Sequence, residues 1–283
     1  MFLPPMLLEK QEKPFDDDRY LFEPKIDGHR MIVSIENGKT QLFTRSCLDV
    51  TAQYPELHNV PIEDNSDAVL DGEVACVNPD TGTIDFELIQ KRFLTRKPMA
   101  IMQARVRRPA IFFAFDLLRY KGEDLRGRPL TDRKALLARV LDENHHFSRV
   151  IHVEGSGVSM FEAICEKRLE GMVAKKKDSR YFGRRDPAWI KIIHYQYADV
   201  TIAGYRKNQF GWLLQHQGIP LGVMELAVPS AHRNAFYGVS KSIVTGEDRN
   251  FVYVQPSIKA RVRFRNWTRA GTLRSPEFVE FVV

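Results

Sequence analysis

The 283 residues include only three cysteines, Cys47, Cys76 and Cys165, with no C-x-x-C pair among them. This excludes a disulfide framework and a cysteine-ligated zinc site, and leaves three reduced thiols that are expected to be buried. Long apolar runs are missing as well. The run AIFFAF at 110–115 falls far short of the roughly 20 residues that span a bilayer, and MFLPPMLLEK lacks the basic start and apolar length of a signal peptide. The expectation is a cytoplasmic protein with no membrane partner. No internal repeat or low-complexity tract occurs. With 43% hydrophobic and 28% charged residues, the composition suits a globular chain with room for two domains.

The net charge is a modest +6, but it is unevenly spread. Residues 199–283 hold 11 Lys+Arg against 6 Asp+Glu, which leaves 31 against 30 for the remainder. A basic C-terminal third beside a balanced larger part points to two units, one of which meets a polyanion.

Periodicity supports the division. RMIVSIENGKTQLFTR places NG between two apolar runs, a hairpin signal, and AVLDGEVACVNPDTGTIDF repeats the device. TIDFELIQKRF reads as a helix start. In TDRKALLARVLD, Leu136, Leu137, Val140 and Leu141 fall on one helix face with Thr131 as N-cap, and SMFEAICEKRLEG does likewise with Ser159. Beyond WIKIIHYQYADV come about five short strands broken by Gly and Pro, a pattern that suits a small β-barrel. In KARVRFRNW, the cations Lys259, Arg261, Arg263 and Arg265 alternate with other residues. Period two puts all four on one strand face, where they can follow a phosphate backbone. The bland reading of that face is solvation.

YLFEPKIDGHRMIVSI reads as strand, turn, strand, with Lys25 at the mouth between the strands, where it can face a cavity. A lysine becomes a nucleophile when burial and neighbouring cations lower its pKa. Alone, K-x-D-G-x-R is equally a surface turn that Asp27 and Gly28 bend.

KIDGHR also resembles motif I of the covalent nucleotidyltransferases, which comprise DNA ligases, RNA ligases and mRNA capping enzymes. FTRS, LDGEVAC, FFAFDLL, EGMVAKK and WIKII resemble motifs Ia, III, IIIa, IV and V, in order, across nearly the whole chain. The stretches 115–137 and 170–191 are most similar to small bacterial and viral ATP-dependent DNA ligases and to the ligase modules of bacterial end-joining proteins. The resemblance implies an α+β fold: an adenylation (nucleotidyltransferase) domain over 1–197, built of antiparallel sheets flanked by helices, and a C-terminal OB-fold barrel over 198–283.

It further implies an enzyme that uses ATP and Mg²⁺, or Mn²⁺ in its place, and seals 5′-phosphate/3′-OH nicks in duplex DNA through a lysyl-AMP on Lys25 and a DNA-adenylate. Glu23 falls where the family recognises the adenine amino group, Arg30 where it contacts ribose, Phe115 where an aromatic stacks on adenine, and Arg45 where it holds the nick phosphate. Glu73 and Glu170 match the acidic residues of motifs III and IV, whose hard oxygens suit Mg²⁺. Lys175 and Lys191 would grip phosphates. The basic strand would bind DNA, and the chain would act as a monomer in repair or end joining, with or without a protein partner. Two departures stand out: Ile193 replaces the second lysine of motif V, and no motif VI follows the barrel strands. An RNA ligase or capping guanylyltransferase is the enzyme alternative, and a DNA-end-binding protein that has lost catalysis is the non-enzyme one.

Overall fold

The computed structural model describes residues 1–282. The chain divides into two compact units, Met1–Ile193 and His194–Val283. The division falls at 193/194 rather than 197/198 because the long strand beginning at Gln196 already pairs within the second unit. Among the described residues no helix is long and apolar enough to cross a membrane.

The first unit runs β1 (Leu7–Lys10), β2 (Asp17–Pro24), β3 (His29–Glu36), β4 (Lys39–Thr44), β5 (Ala68–Cys76), α1 (Phe86–Leu94) and α2 (Pro98–Arg107). It continues with β6 (Ala110–Tyr120), β7 (Glu123–Asp124), α3 (Leu130–Val140), β8 (Phe147–Arg149), β9 (Val153–Gly155), α4 (Gly157–Glu166), β10 (Gly171–Lys176) and β11 (Arg185–Ile193). Two sheets form, with orders β1-β11-β10-β2-β9 and β4-β3-β5-β6-β7, the second carrying β8 on β6. The β3–β4 hairpin turns at Asn37 and Gly38, whose φ angles of 50° and 72° are the positive pair that an Asn-Gly hairpin turn requires.

Alternation along the strands builds two faces. In β2, Phe22 packs with Ile164 of α4 and with Met172 and Ile192 on the outer side, while Leu21 joins Met6, Ile32, Phe115 and Trp189 in a separate apolar cluster. A larger core of Met31, Leu70, Phe112, Leu137 and Phe147 fills the other side of the second sheet, against α1 and α3. In β6 the register against β5 slips between Asp71 and Gly72, which pair with Asp116 and Ala114 and leave Phe115 as the extra residue of a bulge. Bulges re-aim side chains, and here Ala114 stays in the larger core while Phe115 joins the Leu21–Trp189 cluster.

Several local expectations change. Helix α3 starts at Leu130 with Pro129 as N-cap, so Thr131 lies inside the first turn, and α4 starts at Gly157 after Ser156, which places Ser159 inside as well. Only Cys76 of the three cysteines is buried; Cys165 is half-buried and Cys47 is exposed in a turn.

The second unit contains β12 (Gln196–Arg206), β13 (Trp212–His216), β14 (Ile219–Met224), α5 (Ser230–Ser240), β15 (Val244–Glu247), β16 (Phe251–Val254), β17 (Lys259–Phe264) and β18 (Glu277–Val282). Strand β12 is long enough to pair β13 on one edge and both β16 and β17 on the other. A bridge between Leu226 and Glu277 links the chain after β14 to β18 and curls the sheet toward closure. Trp212 fills the centre, 4.6 Å from the Phe236 ring of α5.

Candidate active site

A cleft opens in the first unit, lined by residues of β1, β2, β3, β5, β6, β10 and β11, by the turn after β2 and by Val150. Its polar residues are Glu23, Lys25, Arg30, Glu73 and Lys175, and its aromatic ones are Phe115 and Trp189.

Lys25 leaves the end of β2, and its backbone N–H donates to the Gly171 carbonyl at 2.9 Å. That bond joins motif I to motif IV and brings Lys25 to a residue 145 positions away: its Nζ lies 2.8 Å from Glu170 Oε2. The close approach depends on glycine. A Cβ on Gly28 would stand 2.2 Å from the Val74 carbonyl oxygen, and one on Gly171, where φ is 152°, would stand 2.2 Å from that of Ile192. The Glu170 side chain is 2% exposed and that of Lys25 19%, so the amine is the accessible member of the pair.

At the other end of the cleft, Glu23 is buried between two ammonium groups. Lys134 Nζ of α3 is 2.7 Å from its Oε1, and Lys175 Nζ of β10 is 2.6 Å from its Oε2. Burial alone would raise the Glu23 carboxyl, but Lys175 and Lys134 outweigh it and hold the pKa below the ordinary value. Burial, reinforced by the Lys134 charge and opposed by Glu23, lowers Lys175 to about 8. The Lys175 ammonium also lies 4.0 Å from the Phe115 ring centre and 4.3 Å from that of Trp189. Alternation on β10 aims Lys175, with Val173, at the aromatic rings of the cleft.

Between these ends, Arg30 lies over Phe115 at 4.6 Å. Asp71 fixes it through two hydrogen bonds, Nε to Oδ1 at 2.6 Å and Nη2 to Oδ2 at 2.5 Å, and the Met6 carbonyl accepts a third at 3.2 Å. The Tyr181 hydroxyl donates to Asp71 at 2.6 Å and accepts from the Met6 N–H at 3.0 Å. Burial and the Asp71 charge push that phenol well above its usual pKa. Glu73, opposite Arg30 in the β3–β5 register, is raised to about 7 by burial and by the neighbouring Glu170 and Asp71 charges, against the pull of Lys25 and Arg30. Two confined carboxylates beside an accessible amine form a place where phosphate and a cation can be held together.

The cleft thus gathers Glu23, Lys25, Arg30, Glu73, Phe115 and Lys175, with Glu170 against Lys25. Lys191 pairs with Val173 and shares a β11 face with Trp189, but lies beyond the lining residues. Ile193, 5% exposed, is part of the packed interior. Arg45 is exposed in the turn after β4. On β17 the alternation is as expected, with Ala260, Val262 and Phe264 buried, but its cations are partly neutralised. Arg261 lies 3.7 Å from Asp199, and Arg263 hydrogen-bonds Glu277 at 2.9 Å while its guanidinium lies 4.5 Å over Tyr195. Arg265 follows the strand and is half-buried.

Asp71, Lys134, Tyr181 and Trp189 complete the site and were not singled out from the sequence. For Lys134 a signal existed. With Leu130, Arg133, Leu137 and Val140 it forms the buried face of α3, and cations at helix-core spacing imply buried acidic partners. Arg133 has one in Asp116, with contacts of 2.8 Å and both side chains fully buried.

A family model described as the ATP dependent DNA ligase domain matches residues 5–192. The chain is 35% identical over 280 residues to the SPbeta prophage-derived DNA ligase-like protein LigB of Bacillus subtilis strain 168, covering 98% of each. It is 30% identical over 286 residues to the multifunctional non-homologous end joining DNA repair protein LigD of Mycobacterium tuberculosis strain H37Rv. That match takes in 90% of the chain and 35% of LigD, so the chain spans about a third of that relative. A solved structure of mycobacterial DNA ligase D complexed with ATP and MES superposes with a TM-score of 0.61 at 27% identity, covering 99% of this chain and 95% of that one. The match of fold, motif order and near full-length identity shows that the chain belongs to the ATP-dependent DNA ligase family, with a nucleotidyltransferase domain followed by an OB-fold.

Proposed function

We propose that Lys25 is the residue through which this ATP-dependent DNA ligase becomes adenylylated, and that the product is a sealed nick in duplex DNA. The observation that carries this reading is the accessible Lys25 amine held 2.8 Å from Glu170 in a cleft whose far end offers Glu23 and the rings of Phe115 and Trp189. Lys25 Nζ must shed a proton before it attacks, and Glu170 Oε2 is placed to accept it. A P–N bond then forms to the α-phosphorus of ATP as the bond to pyrophosphate breaks. AMP passes to the 5′-phosphate of the nick, and the 3′-OH displaces it as the phosphodiester forms. Phe115 and Trp189 wall the base, Glu23 accepts from its amino group, and Arg30, locked by Asp71, meets the ribose.

No group of three His, Cys, Asp or Glu side chains suited to a metal occurs among the described residues. Glu73 and Glu170 nevertheless fit Mg²⁺, which is commonly held by one or two carboxylates plus substrate phosphates and water, and Glu73, whose pKa is raised by burial and further by the nearby Glu170 and Asp71 charges, is a carboxylate that a cation would favour in its ionised form. When bound there, Mg²⁺ or Mn²⁺ would draw negative charge from the reacting phosphate. Arg45 and the β17 cations are the DNA-contacting groups in this account. The end-joining name of LigD supports DNA repair as the setting.

The test is sealing of a nicked duplex carrying a labelled 5′-phosphate, with matched all-DNA and all-RNA nicks. ATP-dependent joining of the DNA nick is expected. Joining without ATP, or clear preference for the RNA nick, would overturn the reading.

A further inference from the structure

We infer that Lys134, a residue of α3 that does not line the cleft, sets the choice of adenine over guanine by keeping Glu23 a pure hydrogen-bond acceptor. This rests on the reading of the cleft as the ATP site and adds a positioning residue to it.

Glu23 is 2% exposed, yet each of its oxygens meets an ammonium from a different element, Lys175 of β10 from the cleft side and Lys134 of α3 from behind. The Lys134 side chain, itself 9% exposed, borders a second cavity on the far side of the carboxylate together with His152 and Arg149. Burial favours the protonated form of a carboxylate and each adjacent cation opposes it, so removing one of two cations lets the proton bind at higher pH. Adenine presents an amino donor at its six position and guanine presents a carbonyl acceptor. An ionised Glu23 attracts the first and repels the second. A protonated Glu23 could donate to the guanine carbonyl, so the gate against guanine would fail. The other charged or titratable groups here are His152, which senses Glu23, Lys134 and Glu154, Asp116, which acts on Lys175, and Glu143, Arg149 and Glu154, which border the cavity beside Lys134.

The experiment compares labelling of the protein by ATP and GTP, each labelled at the α-phosphate, between pH 5.5 and 8.5, in the parent and in Lys134→Met, Lys134→Gln and Lys134→Arg. The parent should favour ATP with a ratio that changes little with pH. In the Met variant the ratio should fall at least tenfold, and GTP labelling should grow as pH falls, because the neutral Glu23 is then the competent form. Lys134→Gln keeps a hydrogen-bond donor but no charge, and should follow Met if it folds where Met does not; Lys134→Arg should restore the parent ratio. An unchanged, pH-independent ratio in the Met or Gln variant would reduce Lys134 to a structural residue. Absence of labelling in the parent would instead remove the underlying reading of the cleft.

Discussion

Lys25 Nζ and Glu170 Oε2 stand 2.8 Å apart, and the backbone bond from Lys25 N–H to the Gly171 carbonyl brings the two main-chain segments together. The two members of the pair can be probed separately. Glu170→Gln keeps the shape and removes the charge. It should slow adenylylation of Lys25 roughly 10²- to 10³-fold, the scale of losing one preorganised electrostatic group, with little change in melting temperature. Rapid-quench measurement of the first turnover checks this. A rate within threefold of the parent would leave Glu170 without a role in the step.

Glu73 makes stability depend on pH in a direction opposite to that of most carboxylates. Its pKa is about 7 against an ordinary 4.5. Between those values the folded protein keeps the proton that the unfolded chain has lost, so stability falls as pH rises. Above about pH 7 the buried charge is fully destabilising, by up to about 3 kcal/mol. Glu73→Gln should therefore melt higher than the parent at pH 8 in the absence of divalent ions, and the difference should vanish below about pH 4.5. A constant difference across that range would show that the shift is not present.

Much of this site was legible because its chemistry is local in sequence. KIDGHR brings the lysine, the turn glycine and Arg30 within six residues, and the alternation of β17 follows from period two alone. What the sequence hid was the partner of each charge. Nothing local to Asp71 names Arg30 and Tyr181 as its partners, and the helix-core spacing of Lys134 implies an acidic partner without saying that it is Glu23, 111 positions away. Helices α2 and α5 were missed for a different reason. Helix α2 buries only Ile101 and Ala104, and α5 only Phe236 and Ser240. Two buried positions each are too few to separate a helix from the surrounding short strands by pattern alone. A motif lysine suggests phosphate for Lys175, and only the fold shows that strand alternation also sets it against Phe115 and Trp189.

The acidic neighbours of β17 divide its cations. Arg261 is exposed and its contact with Asp199 is loose, at 3.7 Å. Arg261→Ala should weaken binding to a nicked duplex and flatten the slope of log affinity against log salt by roughly 0.9. Arg263, bonded to Glu277 and stacked on Tyr195, is tied into the barrel. Arg263→Ala should instead destabilise the protein by about 1 kcal/mol with a smaller change in slope. Fluorescence anisotropy and thermal melting on the two variants separate these outcomes, and an unchanged slope for Arg261→Ala would return that side of the strand to solvent.

The central claim is that Lys25 carries the adenylate, and covalent labelling tests it most directly. The protein is incubated with Mg²⁺ and ATP labelled at the α-phosphate, digested, and the labelled peptide sequenced. The account predicts one labelled residue, Lys25, with no label retained by Lys25→Ala and little from GTP. Label retained at the parent level by Lys25→Ala, or mapped to another residue, would contradict it.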